Sequence, residues 1–148
     1  TPASKMVGLD GQKMSKSYNN TIALREDPKE VEKKIRTMPT DPARIRRNDP
    51  GNPNNCPVWQ LHQVYSTEKT QKWAKEGCTQ AGIGCVECKQ PIIESVLKEL
   101  KPIQERAKDY IESPDLVKSV VAEGCEKARK LARDTMRDVR EVMGIDLS

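Results

Sequence analysis

The chain has 148 residues, of which 35% are apolar and 32% charged, with a net charge of +4, two Trp, three Tyr and no Phe. This length suits one domain, or one small domain with a piece of another. Apolar runs too short to span a membrane and the lack of a secretory signal pattern predict a cytoplasmic protein without membrane association.

Positive charge is concentrated in one part of the chain. Residues 28–55 carry seven basic and four acidic side chains, whereas residues 56–148 carry fifteen of each. The excess centres on Arg44-Ile45-Arg46-Arg47, called here the basic segment. Clustered positive charge attracts phosphate backbones. A solvated loop of ordinary charge explains the same residues, and the sequence alone leaves both possibilities open.

The first predicted helix follows a glycine-rich, polar stretch. Residues 1–21 predict loops and strand ends. Asp27 is a suitable helix cap, Pro28 suits the first helical position, and Glu30 stands three residues after the cap. Pro39 should end this helix. Its apolar stripe consists of Val31, Ile35 and Met38.

The middle of the chain predicts short helices between loops. Residues 40–57 are rich in Pro, Asp, Asn and Gly, which indicates a long loop with turn chemistry. Short helices are predicted over residues 58–64 and from residue 66 or 67 to 75. Residues 77–89 contain cysteine and glycine and predict a further loop.

Two long amphipathic helices complete the chain. The first is predicted from about residue 90 to 112, with a kink at Pro102. The second should begin with Ser113 as cap and end at Gly144. Joined by a tight corner, the two helices should lie antiparallel and bury their apolar stripes, including Cys125 as a small buried hydrophobe.

One pentapeptide near the start carries an unusual set of side chains. Lys13-Met14-Ser15-Lys16-Ser17, called here the lysine–serine loop, brings two ammonium groups and two hydroxyls together just after Gly8, Asp10 and Gly11. Clustered cations and hydroxyls are suited to neutralising a polyphosphate. A solvated polar loop is the alternative explanation.

The lysine–serine loop resembles the signature KMSKS loop of class I aminoacyl-tRNA synthetases. Its flanks, Gly8-Leu9-Asp10-Gly11-Gln12 and Tyr18-Asn19-Asn20-Thr21-Ile22, are similar to those of bacterial tryptophanyl-tRNA synthetases. The similarity continues in order along the chain, through the segments 27–35, 40–42, 100–106 and 123–144.

This resemblance implies an ATP site at the lysine–serine loop. In that family a carboxylate attacks the α-phosphorus of ATP with Mg as cofactor, and charge builds on the departing pyrophosphate. By resemblance, Lys13 and Lys16 would be catalytic, and ATP would be bound by Lys13, Met14, Ser15, Lys16 and Ser17. Cationic groups that meet this charge stabilise the transition state more than the ground state.

The resemblance also implies the fold and the partners. It implies a mainly α fold: residues 1–27 would end a Rossmann-like catalytic domain, and residues 28–148 would form a helical bundle that binds the tRNA anticodon. Partners would be tRNA(Trp), ATP and tryptophan, with a homodimer formed through a missing half. The other ATP motif and the tryptophan pocket would precede this chain, so the chain alone should be inactive. Candidate tRNA-facing residues are Asp41, Arg44, Arg46 and Arg47.

Four cysteines form a second constellation. Cys56, Cys78, Cys85 and Cys88 follow the spacing C-x21-C-x6-C-x2-C, with Cys85 and Cys88 as a close pair. Disulfides are disfavoured in a cytoplasmic chain. A structural zinc usually shows two close pairs, whereas an iron–sulfur cluster accepts irregular spacing. The pattern resembles that of a 4Fe-4S-binding subset of bacterial tryptophanyl-tRNA synthetases; zinc and free thiols stay open.

A function of another class is compatible with the same features. A free-standing four-cysteine metal-binding module could bind RNA and retain the lysine–serine loop without ligase activity. The two hypotheses differ in what precedes residue 1. An upstream nucleotide-binding half in the parent gene would favour the enzyme, and a start codon near Thr1 would favour the module.

Overall fold

A computed structural model describes residues 5–145, while residues 1–4 of the predicted N-terminal loop region and residues 146–148 lie outside the described part. Within it the chain forms five α-helices: α1 (Pro28–Thr37), α2 (Pro57–Tyr65), α3 (Glu68–Thr79), α4 (Cys85–Glu112) and α5 (Pro114–Met143). Residues 5–145 contain no strand, only an isolated antiparallel bridge between Val7 and Lys13. The predicted mainly α fold is confirmed.

Helix α1 begins and ends as its sequence predicts. The Asp27 carboxylate accepts a hydrogen bond from the Lys29 backbone N–H at 2.8 Å, and Pro28 occupies the first helical position. Met38 follows the last helical residue as C-cap. A side-chain acceptor at the cap and a proline without a donor both suit the unpaired N–H groups of a first turn.

Helices α3 and α4 are longer than predicted. Thr67 caps α3 by accepting from the Thr70 N–H at 3.3 Å, and the helix continues to Thr79. Helix α4 begins at Cys85, so the loop predicted over residues 77–89 is confirmed only for residues 80–84. The Cys88 N–H donates to the Gly84 carbonyl at 2.9 Å, which closes a helical turn before Pro91 is reached.

The chain divides into two compact units, Thr1–Gln104 and Glu105–Ser148. In the first, the stretch before α1 shares one aliphatic core with α1, α2 and α4. The separation of a catalytic end from a helical domain at residues 27 and 28 stays a prediction. The core residues are Val7, Val31, Ile35, Met38, Val58, Leu61, Ile92, Ile93, Val96 and Leu100.

The second unit contains the end of α4 and all of α5. Ser113 stands at the N-cap of α5 and Pro114 at its first position, although the Ser113 side chain makes no capping hydrogen bond. Gly144 has φ of 66° and ends the helix in the left-handed conformation that glycine favours. The predicted bounds of α5 are therefore confirmed.

The predicted burial of the α5 stripe is wrong. None of the residues of α5 is buried, and Val121, Leu131 and Met136 are among its exposed apolar side chains. Cys125 is also exposed instead of being a buried hydrophobe. An amphipathic pattern shows which face of a helix is available for packing, but it does not show what covers that face.

No helix among residues 5–145 is long and apolar enough to cross a membrane.

Candidate functional site

The lysine–serine loop is closed by backbone hydrogen bonds. Val7 and Lys13 form the isolated antiparallel bridge, and the Met14 N–H donates to the Met6 carbonyl at 3.0 Å. The chain reverses direction at Gly11, whose φ of 83° is accessible to glycine at little cost. The loop is therefore a defined hairpin-like structure and not an open coil.

The side chain of Asn20 holds the loop from within. Asn20 is only 3% exposed. Its Oδ1 accepts a hydrogen bond from the Ser15 N–H at 2.7 Å, and its Nδ2 donates to the Asp10 carboxylate at 2.8 Å and to the Lys13 carbonyl at 3.1 Å. One buried amide thereby connects both sides of the loop. In the sequence, Asn20 stands out only as part of a flank similar to that of the family, and no local pattern indicates this role.

Asp10 is the exposed end of this network. The hydrogen bond from the Asn20 side chain, followed by that from the Gln12 N–H, holds the pKa of the Asp10 carboxyl below its ordinary value. Both donors stabilise the ionised form. Asp10 therefore acts at neutral pH as a charged acceptor that orients the Asn20 amide.

The loop presents its polar groups outward and its methionine inward. Lys13 and Lys16 are exposed, and neither forms an ion pair within the described part of the chain. The hydroxyls of Ser15 and Ser17 lie 2.8 Å apart. Met14 lines an apolar cavity of about 240 Å³ in the same unit. Two cations and two hydroxyls thus share one surface that an anion can reach.

The four predicted cysteines come together around one small cavity. Cys56 caps α2, Cys78 lies near the end of α3, and Cys85 and Cys88 lie in the first turn of α4. All four line a cavity of about 20 Å³, together with Arg44. They are called here the cysteine site. The starts of two helices and the end of a third therefore position these thiols.

Burial and the proximity of other thiols raise the pKa of two residues of the cysteine site, Cys78 and Cys88. Burial, with a further contribution from the other three thiols, raises the pKa of Cys88 to about 12. Burial also raises the pKa of Cys78, an effect that the nearby Arg44 charge opposes. Because metals bind the thiolate, any metal at this site must displace protons.

His62, the single histidine, lies next to the cysteine site and contacts Cys88. It is fully buried, its Nδ1 lies 2.8 Å from Ser66 Oγ, and its Nε2 lies 3.0 Å from the Cys88 carbonyl. Burial lowers the pKa of the imidazole, so the ring is neutral near pH 7. Its contacts give it a structural role that orients Cys88.

Two residues predicted to face tRNA are buried instead. Asp41 is 4% exposed, and its carboxylate accepts from the Asn52 N–H at 2.7 Å. Arg44 is 8% exposed and donates through Nη2 to the carbonyls of Arg47 and Ile83 at 2.7 and 2.6 Å. The expectation of a tRNA-facing surface is therefore wrong for Asp41 and Arg44, because the fold uses both side chains internally.

The other two residues of that expectation lie at the surface. Arg46 and Arg47 are exposed and line a groove of about 690 Å³ that also contains Arg36 and Cys85. Arg47 makes a long, exposed ion pair with Glu87 at 3.7 Å, which leaves its charge largely available. The surface part of the basic segment thus adjoins the cysteine site.

A second arginine-rich groove lies on α5 and was missed by the sequence analysis. This groove has a volume of about 810 Å³. The spacing of its four arginines, by four, four and three residues, places them on one helical face and could have revealed the groove. They are Arg129, Arg133, Arg137 and Arg140.

Among residues 5–145, no group of three or more His, Cys, Asp and Glu side chains is arranged to hold a metal ion. The cysteine site therefore gathers its sulfurs around a cavity without bringing them to one point. A single zinc ion needs four ligands at about 2.0 to 2.3 Å from one centre.

Comparison with known proteins identifies the family. The family profile of "tRNA synthetases class I (W and Y)" matches residues 1–101. The chain belongs to this family. A tryptophan–tRNA ligase from Ralstonia nicotianae is 60% identical over 148 residues, which are 100% of this chain and 37% of that protein. One from Thermotoga maritima is 49% identical over 95% of this chain and 43% of that protein.

Solved structures of this synthetase family have the same fold. The tryptophanyl-tRNA synthetase of Campylobacter jejuni, complexed with ADP and tryptophan, superposes with a TM-score of 0.82 at 31% identity. The match covers 95% of this chain and 44% of that chain. The chain thus spans less than half the length of these relatives.

Proposed function

We propose that this chain is the C-terminal part of a tryptophan–tRNA ligase and contributes the loop that binds the phosphates of ATP. The observation that carries the proposal is the surface of the lysine–serine loop, on which Lys13 and Lys16 are exposed while Asn20 fixes the backbone beneath them. Similarity to ligases along the whole chain does not favour the free-standing RNA-binding module.

The loop chemistry suits the activation step of such a ligase. The carboxylate of tryptophan attacks the α-phosphorus of ATP, and the bond from that phosphorus to the oxygen shared with the β-phosphorus breaks. Pyrophosphate then leaves as the negatively charged product, together with Mg. Lys13 and Lys16 would meet that charge, and Ser15 and Ser17 would donate hydrogen bonds to phosphate oxygens. Because the backbone is already fixed, little reorganisation would accompany the reaction.

Substitution of the lysines in the full-length parent protein tests this role. Lys16→Gln and Lys13→Gln should each lower kcat for tryptophan-dependent exchange of pyrophosphate into ATP by about 100-fold or more, which is typical for loss of one transition-state donor. Lys29→Gln, an exposed lysine of α1, is the matched control. Unchanged kcat in both loop variants would overturn the proposal. The chain alone should show no exchange.

We also propose that the cysteine site holds a 4Fe-4S cluster. Four thiols around one cavity support this, because each thiolate of a cluster binds its own iron and the sulfurs need not meet at one point. Gly51 supports it too, since a Cβ there would lie 2.5 Å from Cys78 Sγ and obstruct the site. When bound, the group would cross-link α2, α3 and α4 at the four cysteines.

Metal analysis of anaerobically purified protein tests the cysteine site. We expect a broad absorption near ~400 nm and about four irons and four sulfides per chain. Cys85→Ser should lower the iron content severely, whereas Cys125→Ser, the exposed fifth cysteine, should not. Detection of one zinc per chain would mean that the same four cysteines bind zinc instead of a cluster. A colourless, metal-free protein would overturn both.

The partners follow from the same proposal. We propose that tRNA(Trp) contacts the grooves that contain Arg46, Arg47 and the arginines of α5, because phosphate contacts require exposed cations. Tryptophan, the remaining ATP contacts and the homodimer interface would belong to the part of the relatives that this chain does not span. Assignment to the cytoplasm belongs to this proposal as well.

A further inference from the structure

Arg44 is a buried cation with one donor left unused. Its Nη2 donates to two backbone carbonyls, those of Arg47 and Ile83, and its Nη1 lies 3.9 Å from Cys78 Sγ. Its Nε–H is buried without a hydrogen-bond partner, the one such side-chain nitrogen or oxygen found among residues 5–145. A buried donor without a partner is costly, so it indicates a partner that binds there.

The side chain that carries the unused donor lies at the cysteine site. Arg44 lines the same cavity as Cys56, Cys78, Cys85 and Cys88. The position of Gly51 gives a finer indication, because a Cβ there would lie 3.2 Å from Arg44 Cδ and 2.5 Å from Cys78 Sγ. The carbon that bears Nε and the thiol of Cys78 therefore both lie close to Gly51.

The charge of Arg44 suits a group held by thiolates. Four thiolates bring four negative charges, which exceed the positive charge of either a zinc ion or a 4Fe-4S core in its 2+ state. A buried excess of negative charge requires a compensating cation and hydrogen-bond donors. Arg44 offers both, with its guanidinium fixed by the two backbone carbonyls.

We propose that Arg44 is a positioning residue for the group bound at the cysteine site, donating its Nε–H to a sulfur and offsetting the negative charge of the thiolates. This inference rests on the proposed cluster. Arg44 would then act inside the protein, although it belongs to the basic segment. Hydrogen bonds to sulfur and nearby positive charge raise the reduction potential of a cluster, so Arg44 has a measurable signature.

Two substitutions separate the donor from the charge. Arg44→Lys retains the charge but lacks the Nε–H. Arg44→Gln loses the charge as well. Arg47→Gln is the matched control, because Arg47 is an exposed neighbour on the same segment that offers only its backbone carbonyl to Arg44. If Arg44→Gln does not fold, Arg44→Lys alone carries the test.

The readouts are iron per chain, the reduction midpoint potential and the resonance Raman frequencies of the Fe–S bonds in H₂O and D₂O. Both Arg44 variants should have a more negative midpoint potential and a smaller deuterium shift than the parent, and Arg44→Gln should also retain less iron. Arg47→Gln should match the parent. A purely structural role would change iron content without changing the potential of the clusters that remain.

These measurements test the role of Arg44 separately from the presence of a cluster. A parent protein with a cluster whose potential and Raman shifts are unchanged in both variants would overturn the role of Arg44 and keep the cluster. A metal-free parent would overturn both. A zinc-loaded parent would overturn the cluster, and Arg44→Gln should then lose zinc to a chelator faster than Arg47→Gln; equal loss would overturn the role of Arg44.

Discussion

Gly8 and Asn20 are packed so closely that a Cβ on Gly8 would lie 2.5 Å from Asn20 Cγ and 2.3 Å from its Nδ2. No real Cβ approaches other atoms this closely, so residue 8 must be glycine for the Asn20 amide to remain where it is. The amide in turn holds the backbone of Lys13 and Ser15. The conformation of the lysine–serine loop therefore depends on two residues outside it.

Asn20→Ala should loosen the loop without removing any group proposed to touch ATP. The three hydrogen bonds of the amide disappear and the Ser15 N–H is left unpaired, so we expect the free energy of unfolding to fall by about 2 kcal/mol. In the full-length enzyme, kcat for pyrophosphate exchange should fall about 10- to 100-fold, because small misplacements of catalytic groups are costly. Urea unfolding and exchange kinetics measure the two effects.

The control for Asn20→Ala is Gln12→Ala, an exposed neighbour for which the described hydrogen bonds use only the backbone. This variant should resemble the parent in both measurements. Equal activity of the Asn20 variant and the parent would show that the loop does not need the buried amide.

Gly8→Ala should produce a similar loss by displacing Asn20. Its effect should be non-additive with Asn20→Ala, because the smaller side chain at residue 20 removes the clash. We expect the double variant to be little worse than Asn20→Ala alone, as measured by unfolding free energy and by exchange kinetics. Gly82→Ala is the control, since a Cβ there has nothing closer than 3.8 Å. Strict additivity would contradict the proposed contact.

Local rules predicted several features of this fold from sequence. The cap and proline of α1 and the glycine that ends α5 act within a few residues of the chain, so their effect is visible in the sequence. The gathering of the four cysteines was expected from their spacing and the family resemblance, and the shared cavity agrees with it. The helix caps, unlike the cysteine site, depend on few distant contacts.

The features that sequence did not predict depend on distant contacts. Arg44 was placed at the surface because it stands in a basic segment, but its acceptors include Ile83, far along the chain. Asn20 had no local pattern that announced its links to Asp10 and Lys13. The start of α4 was misplaced because Pro91 resembles a helix start, although the preceding turn forms without its N–H.

Arg46 and Arg47 should contribute to RNA affinity by binding phosphates. Replacing both with Gln should weaken binding of tRNA to the full-length protein at low salt. It should also reduce the slope of log K against log salt by about 1 for each arginine that binds a phosphate in the parent. Filter binding over a salt series measures this slope. Arg25→Gln, which changes an exposed arginine before α1, should leave the slope unchanged. An unchanged slope in the double variant would exclude the groove that contains Arg46 and Arg47 as a tRNA-binding surface.

Gly124→Ala should stabilise the second unit. Gly124 lies inside α5, its φ is not positive, and a Cβ there meets nothing within 4 Å. Alanine loses less backbone entropy than glycine on forming a helix, so we expect a gain of about 0.5 to 1 kcal/mol in unfolding free energy. Thermal unfolding followed by circular dichroism checks it. A destabilised variant would show that another surface covers this face of α5.

Lys89 connects α4 to the end of α1, and its loss should destabilise the first unit. The side chain is 4% exposed, and its ammonium donates to the carbonyls of Arg36 and Met38 at 2.6 and 2.5 Å. These carbonyls belong to the last turn and C-cap of α1, where a helix has unpaired acceptors and negative partial charge. Burial lowers the pKa of Lys89, so the two hydrogen bonds must compensate for the desolvation of its charge.

Lys89→Met keeps much of the aliphatic stem and removes the ammonium, leaving two carbonyls without their donor. We expect a loss of about 2 to 4 kcal/mol in unfolding free energy, since hydrogen bonds to charged groups contribute about 1.5 to 3 kcal/mol each and the apolar replacement recovers part of it. Lys98→Met, an exposed lysine of the same helix, should change stability by less than about 0.5 kcal/mol. Equal stabilities of the two variants in urea unfolding would mean that the contact from α4 does not stabilise the end of α1.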